Sequence, residues 1–85
     1  MLTVIKSTRH MQYGALWLRD ETYTYAYDPC HSAITRWEGE FEKHSSTISH
    51  YKLKWYNLTD DQVMDIIKDW DNIKKERDDA RQFRL

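Results

Sequence analysis

Glycine and proline are scarce in this chain of 85 residues: there are two of the first and one of the second. That is far below ordinary usage, and it argues against disorder over most of the length. Gly14 and Gly39 stand alone, so no glycine-rich phosphate loop exists. The single cysteine, Cys30, excludes an internal disulfide and fits a reducing cytoplasm, the expected location. No apolar run is long enough to span a membrane, and "MLTVIKSTRH" is too poor in apolar residues for a signal peptide. An excess of charge is missing too. Thirteen Lys and Arg face fourteen Asp and Glu, for a formal net charge of -1. A uniformly basic nucleic-acid binder and a strongly acidic nucleic-acid mimic are both excluded. An electrostatic function must come from how the charges are distributed.

Aromatic residues are abundant: four Trp, six Tyr and two Phe. Each ring buries a large area, which offsets the modest core of a single small domain. The first two-thirds of the chain alternate with period two and the last third repeats with period 3.6. "MLTVIK" reads as an opening strand. "YGALWLR" is apolar on both faces, as a central strand is. "TYTYAY" puts Tyr23, Tyr25 and Tyr27 on one face. "DPCHS" breaks the ladder, because Pro29 cannot donate to it. "AITRWEGEF" and "TISHYKLKWY" then form a hairpin, with Thr35, Trp37 and Phe41 on one face and Tyr51, Leu53 and Trp55 matching them.

The helix start is the clearest local signal. Thr59 and Gln62 make a capping box, Leu58 and Val63 a hydrophobic staple, and Asp60 and Asp61 suit the positive end of the helix dipole. Val63, Ile66, Ile67, Trp70 and Ile73 form one stripe of a helix expected over about 60–82. The expected fold is therefore α+β: an antiparallel sheet of four to five strands within 2–56, packed by one C-terminal helix. Trp70 and Ile67 are expected to anchor that helix on the face carrying Trp37, Leu53 and Trp55.

Two basic features invite a functional reading. In "YKLKWY", Lys52 and Lys54 alternate with rings. A hairpin register that sets Glu40 against Lys52 and Glu38 against Lys54 answers both charges within the sheet. Beyond Ile73 the apolar stripe becomes basic: at 100° per residue from Val63, Lys74 falls near ~20°, Arg77 near ~-40°, Arg81 near ~0° and Arg84 near ~-60°. Snorkelled rim packing explains such a stripe. So does an anion-facing groove that takes RNA, DNA or an acidic protein surface, with single-stranded RNA favoured because tyrosines stack bases. Tyr23, Tyr25 and Tyr27 are either a half-buried face or a recognition surface for protein.

Catalytic signals are weak. The four histidines and Cys30 include no C-x-x-C pair, so neither a metal nor another cofactor is expected. Cys30 and His31 are adjacent and point apart on an extended chain, with only Asp28 at hand as an orienting carboxylate. A ribonuclease using His44 or His50 with Glu40 is the weakest alternative.

The short length, the strands "TYTYAY" and "KLKWY", the scarce Gly and Pro and the charged terminal helix resemble small early accessory proteins of T4-type tailed bacteriophages. That resemblance implies a stoichiometric binder in the host cytoplasm that disables a defence nuclease, such as a toxin ribonuclease. The expected function is a non-enzymatic module that binds RNA and a host protein, with a homodimer compatible. The alternative is a purely protein-binding module or subunit using an exposed tyrosine face.

Overall fold

A computed structural model describes residues 1–38, 45–49 and 57–82, with the side chains of 49 and 77–82 outside that description. Among these residues five strands follow one another as an antiparallel meander: β1 (Thr3–Ser7), β2 (Leu16–Arg19), β3 (Tyr23–Asp28), β4 (Ala33–Glu38) and β5 (Ser46–Ser49). Two helices complete the chain, α1 (Asp60–Lys68) and α2 (Trp70–Gln82). The class is α+β, but the C-terminal segment is a helix pair rather than the single helix expected.

The break falls at Asp69. Its N–H bonds to the carbonyls of Ile66 and Ile67, and its backbone leaves helical geometry at φ -106, ψ 21. Its carboxylate accepts from the Asn72 side chain at 2.8 Å, and its carbonyl accepts the N–H of Ile73. Asp69 thus ends α1 and caps α2, as a short acidic side chain that competes for local donors does. The apolar stripe survives the break, because Val63, Ile67 and Trp70 are all buried.

The first turn shows why one glycine is retained. Thr8 N–H bonds to Ala15 O at 2.9 Å, and Ala15 N–H returns to the Thr8 hydroxyl at 2.9 Å. A Cβ on Gly14 would overlap the Thr8 carbonyl, so only glycine fits. Tyr13, expected to begin a strand, instead lies in this turn at φ 61 and is 78% exposed. Across β1 the register slips between Val4 and Lys6. The extra residue carries Lys6 to the face of Trp17, its partner, while Val4 pairs with Leu18.

One sheet face holds the core. Leu16 and Leu18 of β2 lie opposite Tyr27 and Tyr25 of β3, and Tyr27 lies opposite Ile34, which meets Ile48 of β5. All six are buried with Val63, Ile67 and Trp70 of the helices. Fully burying one such side chain contributes roughly 1.5–3 kcal/mol. Arg9 clamps the helix start from the first turn. Its guanidinium donates to Asp60 Oδ1 at 2.6 Å and to the Leu58 carbonyl, and lies 5.5 Å from the Tyr27 ring centroid.

Two expectations for β4 are corrected. Its buried face is the one with Ile34 and Arg36, not the one with Thr35 and Trp37. Cross-strand partners share a face, and Ile34 and Arg36 oppose Tyr27 and Tyr25. Trp70 accordingly packs on Tyr25, at 5.8 Å between ring centroids, and not on the face of Trp37. The hairpin register also differs. Ile34 faces Ile48 and Arg36 faces Ser46, an alignment incompatible with setting Glu40 against Lys52 and Glu38 against Lys54. Glu40, Lys52, Leu53, Lys54 and Trp55 themselves lie outside the described residues.

Candidate functional site

On the helix side, a cleft of about 460 Å³ opens between the β2–β3 turn and the α1–α2 junction. Asp20 organises the turn. One carboxylate oxygen accepts from the N–H groups of Thr22 and Tyr23 at 2.8 and 2.7 Å, and the other from the Tyr25 hydroxyl at 2.9 Å. Burial pushes the Asp20 pKa up, but these donors outweigh it and hold the carboxyl below its ordinary value. Burial first, and then the bond to Asp20, raise the Tyr25 pKa, so the phenol stays protonated and donating.

Arg36 stands at the centre of this cleft because β4 pairs it with Tyr25. Its guanidinium lies 4.1 Å from the Tyr23 ring centroid and 5.0 Å from that of Trp70. Such cation–π contacts contribute about 0.5–2 kcal/mol each. Asp71 approaches the same guanidinium only to 3.7 Å and is 94% exposed, so this pair is loose and contributes little. At the rim, Glu21 pairs with the N-terminal ammonium of Met1.

The opposite sheet face is built differently. Trp17 of β2 and Trp37 of β4 flank β3, where their partners are the smaller Ala26 and Thr24. With little side chain between them, the two indoles lean together and stack, 5.7 Å between centroids and 13° between planes. Both are half-buried, and Thr24 is buried beneath them. Lys6 faces Trp17 and is exposed, and Arg19 lies two residues further along β2. Thr35 and Thr47, hydrogen-bonded at 3.0 Å, extend the face toward β5. This surface can stack a planar group and neutralise an anion beside it.

Only part of the residues singled out in the sequence falls within the described residues. Tyr25 and Tyr27 are 3% and 0% exposed, so they are core and not a recognition surface. Tyr23 is half-buried and lines the cleft. Lys74 is half-buried on α2. Arg77 and Arg81 lie on α2, but their side chains, like all of Arg84, Lys52, Lys54, His44 and His50, are outside the described residues. Asp28 does orient a histidine: its carboxylate holds His31 Nδ1 at 2.6 Å and accepts the Cys30 N–H at 3.0 Å. That is the cap of a short 3-10 turn at Pro29–His31. Among the described residues no three acidic, histidine or cysteine side chains gather as metal ligands, and no helix is long and apolar enough to cross a membrane.

Sequence reasoning missed Arg36, Asp20 and the Trp17–Trp37 pair. The available signal was the alternation of β4, where Arg36 shares a face with Ile34 and Trp37 does not. No family model, curated protein or solved structure matches the chain.

Proposed function

We propose that this protein is a non-enzymatic module that binds single-stranded RNA on the sheet face opposite its helices. The observation that carries the reading is the stacked Trp17–Trp37 pair, half-exposed beside Lys6. Both indoles stay half-exposed, so a base can stack against the pair. Base–aromatic stacking contributes ~1–3 kcal/mol per base and tolerates any sequence. Lys6 supplies a cation for the phosphates, and Asp28 of β3 on this face is engaged with His31 and Cys30. Paired bases would present no free ring face, so a duplex is the weaker ligand. RNA on this face leaves the helix side for a protein, which suits a stoichiometric inhibitor of a nuclease.

The test is filter binding of a uridine oligonucleotide, and of a duplex of equal length, at low salt. Replacing Trp17 and Trp37 together by Ala should weaken single-strand binding by at least about fivefold, from the stacking energy of one or two bases. Lys6→Ala should flatten the salt slope by about 0.7. Affinity that survives the double Trp variant, or that falls only when Arg77 and Arg81 are replaced by Ala, would move the site to α2. Absence of saturable RNA binding would end the RNA reading.

A further inference from the structure

One cross-strand row on the face opposite the helices takes a residue from every strand. Lys6 of β1 pairs with Trp17, Trp17 with Ala26, Ala26 with Thr35, and Thr35 with Thr47 of β5. Partners across a ladder share a face, so the row has a chemical order. A cation stands at one end, the Trp17–Trp37 stack in the middle, and two hydroxyls at the other end. Two observations set that order. The first is the slip of β1 between Val4 and Lys6. An unbroken ladder continued from Val4 and Leu18 puts Ile5 opposite Trp17; the slip puts the exposed Lys6 there instead. Bulges that re-aim a side chain in this way are over-represented beside functional sites. The second is the hydrogen bond between Thr35 Oγ1 and Thr47 Oγ1 at 3.0 Å. That bond uses one of the pair's two hydroxyl protons, which leaves an O–H donor and further lone pairs. Thr47 is exposed and Thr35 half-buried, so the pair is open to a ligand.

We propose that single-stranded RNA crosses the strands along this row, and that Thr35 and Thr47 read its 2′-hydroxyl. The inference rests on the RNA reading above and adds to it the path of the ligand and the residues that tell RNA from DNA. The ribose 2′-hydroxyl is both donor and acceptor, and so is the threonine pair. The remaining threonine O–H donates to the 2′ oxygen, and the 2′ O–H donates to a threonine lone pair. Four strand intervals separate Lys6 from Thr47, about 19 Å, so the contacts come from successive nucleotides. A phosphate lies on Lys6, a base against the indoles and a ribose on the hydroxyls. Deoxyribose offers the threonines neither partner. Water still reaches the exposed Thr47, so DNA is disfavoured rather than excluded.

The probes are a uridine and a deoxyuridine oligonucleotide of equal length, which differ only at the 2′ position, titrated into the full-length protein at low salt. The uridine strand should bind about two- to tenfold more tightly, the weight of one neutral hydrogen bond. Replacing Thr35 and Thr47 together by Val keeps the β-branched shape that strands accept and removes both hydroxyls. In that variant the ratio of the two affinities should fall to about one. Lys6→Ala, at the phosphate end of the row, should weaken both strands alike and keep the ratio. Equal affinities in the unaltered protein would overturn the proposal, while binding that still depends on Trp17 and Trp37 would leave the stacking site standing. A preference that survives the double Val variant would overturn it too. So would an equal loss for both strands in that variant, which marks a structural effect. If neither strand binds saturably, the RNA reading fails and this inference with it.

Discussion

Trp70 and Trp37 lie on opposite sides of one sheet, and their surroundings differ in kind. On the covered side Tyr25 and Tyr27 are held by polar handles as well as by packing, and Trp70 by ring contacts. The Tyr25 hydroxyl is held by Asp20, the Tyr27 hydroxyl accepts the Leu58 N–H at 3.1 Å, and Tyr23 and Trp70 flank Arg36. On the other side, Trp17 and Trp37 stack on each other and stay half-exposed. A buried ring whose faces are committed inside the chain serves stability. A half-exposed ring stacked against a twin commits less of its surface to the core. The first arrangement builds the core, and the second is the natural place to seek binding.

The sharpest way to break this contrast is to truncate one tryptophan from each side. Trp70→Ala should cost roughly 3–5 kcal/mol, as buried aromatic truncations do, which approaches the whole stability of so small a domain. Trp37→Ala removes a half-buried ring and one stacking partner, and should cost about 1–2 kcal/mol. Urea denaturation midpoints read both. Equal losses would mean that the Trp pair is a second core rather than a ligand platform.

A smaller change sharpens the role of the polar handles. Tyr27→Phe keeps the buried ring but leaves the Leu58 N–H without its acceptor, beside the cap of α1. The expected loss is about 1–3 kcal/mol, the cost of an unsatisfied partly buried donor, again read from the denaturation midpoint. A neutral result would show that water replaces the phenol at that position.

The smallest effect is a pH dependence at Asp20. Its folded pKa lies below the ordinary 3.8, so the folded chain binds fewer protons at this site than the unfolded chain. Its contribution is complete above that ordinary value and is lost as pH falls through the lower, folded one. Tyr25 behaves oppositely. Its folded pKa is raised above the ordinary 10.0, so its contribution holds below 10.0 and fades as pH rises through the folded value. Asp20→Asn should therefore lower the denaturation midpoint above the ordinary 3.8 and lose that deficit as pH falls through the lower, folded value. A deficit that persisted in strong acid would assign the effect to the turn's geometry rather than to charge.

What the sequence determined by itself is local. The start of α1 follows from neighbours a few residues apart: Thr59 Oγ1 accepts from the Gln62 N–H at 3.2 Å, and the Gln62 side chain accepts from the Thr59 N–H at 2.9 Å. The burial of Val63, Ile67 and Trp70 follows from their spacing, since a 3.6-residue repeat yields a single apolar stripe. The alternation of Tyr23, Tyr25 and Tyr27 likewise placed all three on one face. What only the tertiary structure decided is which face of each strand turns inward. A period of two defines two faces and is silent on which is buried. In β4 the rings of "AITRWEGEF" pointed to the Trp37 side. Pairing of Tyr25 with Arg36 and of Tyr27 with Ile34 reversed that choice, because partners across a ladder share a face and the tyrosine face meets the helices. The same reversal put Arg36 in the cleft and left Trp17 and Trp37 to stack over Thr24 and Ala26, from strands that never pair with each other. Those contacts join residues far apart in the chain, so they exist only once register, bulge and helix docking are set together.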